Sequence, residues 1–137
     1  MVQMEKTFRR NLGSLDDVFT FLAEFKRKSQ LDDSLSFRLD LIVEELFTNM
    51  VKYNSRNPND ILIQVERTPH QLILVLVDFD VEPFDITVRE AVDTKRCLEE
   101  RKVGGLGIHL VKCMADDIQY EYCDRNSKIT VIQNLER

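Results

Sequence analysis

The sequence predicts a two-layer α/β (α+β) sandwich in which a mixed, mostly antiparallel sheet carries helices on one face. Two observations predict it. Apolar residues recur at helical spacing in the first part of the chain and then change to the alternation typical of strands. The later strands follow one another through hairpin-type connections, and the helices that a parallel sheet needs between every pair of strands are missing.

Length and composition predict one domain covering residues 1–137, without repeats or linkers. The chain is 43% hydrophobic and 31% charged, which is typical of a folded, soluble protein. Its net charge of −5 argues against direct binding to nucleic acid or to a membrane surface. The start lacks the apolar run of a signal peptide, and three cysteines without metal-binding spacing indicate reduced thiols. We therefore expect a cytoplasmic protein.

The first half of the chain reads as one strand and two helices. Residues 3–9 predict an edge strand, and Ser14 followed by Asp17 predicts a helix start. A second helix should start near Asp32 to Ser34 and end around Tyr53, before a turn rich in Asn, Pro and Asp. The residues of this helix expected to face the sheet are Leu35, Leu39, Val43, Leu46 and Met50.

The second half predicts strands. Residues 61–66 alternate, whereas residues 72–77 are apolar at every position. Such a run indicates a strand buried on both faces, or a strand inside a sheet covered by helices. The remaining segments are an irregular stretch at 79–103, a short helix at 107–114, a strand through Ile118, Tyr120 and Tyr122, a turn at 124–127 and a last strand at 129–132.

Chemistry-bearing residues first collect on the second predicted helix. Glu45 and Asn49 are four residues apart, so they lie on adjacent turns of one flank, while Glu44 projects elsewhere. A carboxylate and an amide placed in this way can hold a hydrated Mg²⁺ or an attacking group. An ordinary polar helix flank explains the same spacing.

Two further segments stand out. Asp78 directly follows the apolar run 72–77, and a carboxylate there needs a hydrogen-bond partner, either a ligand amine or a strand-ending turn. Gly104, Gly105 and Gly107 directly precede an apolar helix, whose free N–H groups suit phosphate. A flexible glycine hinge is the alternative for that segment.

In their order and separation, these segments resemble the gyrase, histidine-kinase and MutL type of ATPase domain, with its Bergerat ATP-binding fold. Within this group the chain is most similar to the anti-sigma factor serine kinases, over nearly its whole length. The resemblance implies that Glu45 is the general base and that Asn49 is the ligand of Mg²⁺. It also implies that Asp78, with Phe84 in the following Pro-Phe-Asp, binds the adenine of ATP.

The glycine segment is the most specific part of the resemblance. It implies that Arg101 and the backbone of the glycine box bind the phosphates, the residues of the box being Gly104, Gly105, Leu106, Gly107 and Ile108. Two positions depart from the family pattern. Asp80 stands where the adenine box usually has glycine, and Tyr53 stands where close relatives often have histidine.

Three functions follow from the resemblance as expectations. The first is an anti-sigma factor kinase that uses ATP and Mg²⁺ to phosphorylate a serine or threonine of an antagonist protein. The second is a binding module that sequesters a sigma factor or an antagonist with little or no nucleotide, as Asp80 favours. The third is a regulatory domain of a longer protein. The partners would be a sigma factor and its antagonist, and a homodimer is compatible with each function.

Overall fold

The computed structural model describes residues 1–54, 56–81 and 111–135, which form a five-stranded sheet and two long helices. The strand order is β1-β2-β3-β5-β4, and all four pairings between these strands are antiparallel. The predicted fold class is confirmed, and β1 lies at the sheet edge as expected. The strands are β1 (Val2–Phe8), β2 (Ile61–Arg67), β3 (Gln71–Asp78), β4 (Asp117–Cys123) and β5 (Asn126–Asn134).

The two long helices begin and end close to their predicted positions. A short 3₁₀ turn at Leu12–Ser14 leads into α1 (Leu15–Ser29). The second helix, α2 (Asp33–Tyr53), begins after Asp32, whose carboxylate accepts a hydrogen bond of 2.8 Å from the backbone N–H of Leu35. This side chain satisfies one of the free donors at the start of α2 and fixes its first turn.

Both helices pack on the same face of the sheet, so the hydrophobic core lies between two layers. The five residues of α2 predicted to face the sheet are all buried, none being more than 9% exposed. The sheet contributes alternate residues, as expected for strands with one buried face. These residues are Phe8, Ile61, Ile63, Val65, Leu72, Leu74, Leu76, Ile129 and Val131.

The apolar run of β3 is fully buried on one face only. Leu72, Leu74 and Leu76 face the helices and are 2%, 2% and 0% exposed. The alternate residues Ile73 and Val75 are half-buried on the other face. Burial on both faces was therefore the wrong interpretation of this run, because α1 and α2 cover a single face of the sheet.

The hairpin between β4 and β5 turns through Asp124 and Arg125, which both have left-handed backbone conformations with φ of 52° and 63°. Two such residues are typical of the tight turn whose twist matches that of paired strands. Of the helix predicted at 107–114, residues 111–114 are described and are helical. No helix within the described ranges has the length and apolar content needed to cross a bilayer.

Candidate functional site

The end of α2, the end of β3 and the β4–β5 turn meet at one edge of the domain. Asn54, which follows α2, donates from Nδ2 to Oδ2 of Asp78 over 3.0 Å. Asn57 donates to the backbone carbonyls of Phe79 and Asp80 over 2.7 and 3.0 Å. The end of β3 and the residues after it are thus hydrogen-bonded to the segment that follows α2, the helix that carries Glu45 and Asn49.

A cleft of about 450 Å³ opens between these elements, and we call it the α2–β3 cleft. Its volume falls in the range of small-molecule sites, from about 300 to 1,000 Å³. Its lining combines charged and amide side chains with apolar surface. The lining residues are Tyr53, Asn54, Arg56, Asn57, Pro58, Asp80, Val81 and Arg125.

Asp78 lies next to the α2–β3 cleft but is itself buried, with a side chain only 3% exposed. Both of its carboxylate oxygens accept hydrogen bonds from the chain. Oδ1 accepts from Nη2 of Arg10, and Oδ2 accepts from Nδ2 of Asn54. The predicted adenine-binding carboxylate is therefore part of a buried ion pair.

Arg10 holds this ion pair from the loop that follows β1, and its side chain is 2% exposed. Nε donates to the backbone carbonyl of Asn59, and Nη1 donates to that of Met50, each over 3.2 Å. The guanidinium thus joins the β1 loop, the last turn of α2, the turn before β2 and the end of β3. Its fixed fork of donors can serve several acceptors at once, which an ammonium group does less well.

Glu45 and Asn49 are both half-buried on α2, as the predicted flank requires, while Glu44 is exposed. Nδ2 of Asn49 is buried and has no hydrogen-bond partner among the described residues. Buried polar atoms nearly always have a partner, so an orphaned amide calls for a ligand or another explanation. A 180° rotation of the side-chain amide exchanges the positions of Nδ2 and Oδ1. The side chain can therefore offer either Nδ2 to a phosphate oxygen or Oδ1 to Mg²⁺.

Asp80 has a left-handed backbone conformation, with φ of 56°, a region that favours glycine. Its Oδ1 accepts a hydrogen bond of 2.7 Å from Nε of Arg125, and these side chains are 66% and 55% exposed. The backbone N–H of Asp80 also donates to Oδ1 of Asn126 over 3.2 Å. The carboxylate is therefore paired and solvated at the rim of the α2–β3 cleft.

Because position 80 has a left-handed conformation, we expect glycine to be tolerated there better than alanine. The Asp80→Ala variant should be less stable than Asp80→Gly by about 1 kcal/mol, the approximate cost of this conformation for a residue with a Cβ. Both variants lose the exposed pair with Arg125 equally, so their difference isolates the backbone effect. Urea unfolding of the two proteins measures it, and equal stability would contradict the assignment.

The remaining predicted site residues, Phe84, Arg101 and the glycine box from Gly104 to Ile108, lie outside the described residues. Within the described ranges, no group of three or more His, Cys, Asp or Glu side chains is arranged to hold a metal ion. A metal at this site would therefore need ligands beyond the described carboxylates, such as the Asn49 amide and phosphate oxygens.

Comparison with known proteins agrees with the fold. The histidine kinase-like ATPase domain family matches residues 8–133. A chain of the SiaB–SiaC complex from Pseudomonas aeruginosa is similar in structure, with a TM-score of 0.66 and 12% sequence identity. The match covers 96% of the present chain and 88% of that chain, and at this identity it shows a shared fold. No curated protein sequence matches significantly.

Proposed function

This chain belongs to the histidine kinase-like ATPase domain family, and from that premise we propose that it is an ATP-dependent kinase acting on a partner protein. The phosphate acceptor would be a serine or threonine of an antagonist protein, and the chain would act as an anti-sigma factor in bacterial partner switching. The residues that resemble anti-sigma factor serine kinases support this role. A structural neighbour that belongs to a two-protein complex is consistent with it.

The observation that carries the proposal is the flank of α2 with Glu45 and the orphaned amide of Asn49. We assign Asn49 to the Mg²⁺–phosphate end of ATP and Glu45 to the acceptor hydroxyl. Bound Mg²⁺ supplies charge neutralisation at the transferring phosphate. Glu45 would orient the hydroxyl and accept its proton, and the half-buried position on a helix fixes the direction of its side chain.

The rest of the assignment follows the family pattern. Arg101 and the backbone from Gly104 to Ile108 would bind the phosphates, and Phe84 would contact the base. The chain would act in the cytoplasm, where a sigma factor would compete with the antagonist for it. Homodimerisation remains part of the proposal.

A binding module without catalysis is the second candidate, and the ion pair of Asp78 with Arg10 favours it. A carboxylate whose two oxygens already have donors contributes less to nucleotide binding than a free one. In this case the same surface would hold the partner protein, and nucleotide would bind weakly or not at all.

A titration with ATP separates the two candidates through Asn49. We expect Asn49→Ala to weaken ATP binding by about 10-fold or more in the presence of Mg²⁺, because a ligand of the metal is lost. The loss should be smaller in chelator, where Mg²⁺ makes no contribution. Calorimetry of both proteins with and without Mg²⁺ measures the difference.

Glu44→Ala is the matched control for that titration, since Glu44 is exposed on the same helix and projects away from Asn49. It should bind ATP as the wild type does. If the wild type binds no nucleotide, the binding module becomes the better function. If Asn49→Ala loses as much affinity in chelator as in Mg²⁺, the assignment of Asn49 as the ligand of Mg²⁺ is wrong.

A further inference from the structure

The buried carboxylate of Asp78 has no exposed acceptor to offer a ligand in this structure. A base-reading carboxylate must present a free oxygen at the wall of its site, whereas the side chain of Asp78 is 3% exposed. Each oxygen already has a donor from the chain, Nη2 of Arg10 on Oδ1 and Nδ2 of Asn54 on Oδ2. Asp78 is accordingly absent from the lining of the α2–β3 cleft.

An adenine amino group would compete poorly for this carboxylate. It is a neutral donor, and hydrogen bonds from a charged donor to a carboxylate are roughly twice as strong as neutral ones. Arg10 is also held by the backbone carbonyls of Asn59 and Met50, so leaving Asp78 would disturb three contacts of a buried charge. A buried charge that loses its partner is costly, which keeps the pair closed.

The two ends of the proposed nucleotide site differ in this respect. On α2, Nδ2 of Asn49 is a buried donor without a partner among the described residues, so it can donate a hydrogen bond to a phosphate oxygen. At the end of β3, each oxygen of Asp78 already accepts one hydrogen bond from the chain and the side chain is buried, so a base gains less there. Binding energy should therefore come from the phosphate end.

We propose that Arg10 is a specificity-determining residue that withholds Asp78 from the base, so that Asp78 does not recognise the 6-amino group of adenine. The inference rests on the proposed function, because it concerns how the same site treats its nucleotide. It changes the expected ligand from ATP alone to purine nucleoside triphosphates as a class.

Wild-type protein tests this directly. ATP is compared with purine riboside 5′-triphosphate, which lacks only the 6-amino group, each in the presence of Mg²⁺. We expect dissociation constants that differ by less than about 10-fold, since a hydrogen bond to a charged group is typically worth that factor or more. Tighter binding of ATP by about 10-fold or more would overturn the inference.

A second measurement tests the pairing on which the inference rests even if neither nucleotide binds, an outcome that would refute the proposed function. Urea unfolding of Arg10→Met, Asp78→Asn and the double variant gives the coupling between the two side chains without any ligand. Each single variant should change the unfolding equilibrium constant by some factor. We expect the factor for the double variant to be smaller than the product of the two single factors by at least about 10-fold. Independent effects would overturn the inference, and Arg10→Gln, which also removes the charge, replaces Arg10→Met if that variant does not fold.

Discussion

Replacing Glu45 with alanine is expected to slow phosphate transfer to the partner protein by about 100- to 10,000-fold, the usual contribution of a general base. Binding of ATP should change little, because the side chain is assigned to the acceptor hydroxyl and not to the nucleotide. Glu45 is half-buried on the flank of α2, beside the residues that pack on the sheet, so its truncation leaves no cavity in the core. Transfer of radiolabelled phosphate from ATP to the antagonist measures the rate.

The control for this experiment is Glu44→Ala, which removes an exposed carboxylate one position away. It should phosphorylate the antagonist at the wild-type rate, and a thermal melt should show that all three proteins are folded to the same extent. Equal rates for wild type and Glu45→Ala would remove Glu45 from the mechanism. If wild type with bound ATP and its true partner transfers no phosphate, the chain acts as a binding module.

Most of the fold could be predicted from local patterns. The start of α2 was predictable because the cap at Asp32 is a local signal, and its end was predictable from the turn residues after Tyr53. The alternation of apolar and polar residues predicted the strands, because it too is a local signal. The burial of β3 was less predictable, because residues 72–77 are apolar at every position and only the placement of α1 and α2 decides which face is covered.

The candidate site likewise has a part that local patterns predict and a part that they do not. Glu45 and Asn49 share one flank because helical spacing is a local property, and the structure places them there. Arg10 gave no signal in the sequence, since it meets Asp78 across 68 positions of the chain. A carboxylate at a strand end predicts that some donor lies nearby, but it does not say whether the donor belongs to a ligand or to the protein.

Replacing Arg10 with methionine is expected to destabilise the protein by about 3–5 kcal/mol, the typical cost of removing one partner from a buried ion pair. The carboxylate of Asp78 would remain buried with Asn54 as its only described donor. The backbone carbonyls of Asn59 and Met50 would lose donors as well. Methionine keeps much of the apolar stem, so the loss reports mainly on the charge and the hydrogen bonds. The free energy of unfolding in urea measures it.

Arg9→Met is the matched control for this variant, because Arg9 is the neighbouring residue and is exposed. A surface substitution of this kind usually changes stability by no more than about 0.5 kcal/mol. If Arg10→Met were as stable as Arg9→Met, the buried pair would contribute little and Asp78 would be available to a ligand. A large loss of stability in Arg10→Met but not in Arg9→Met would instead show that Asp78 is committed to the fold. Of these two arginines only Arg10 pairs with the buried carboxylate, so only its removal leaves that carboxylate without a cationic partner among the described residues.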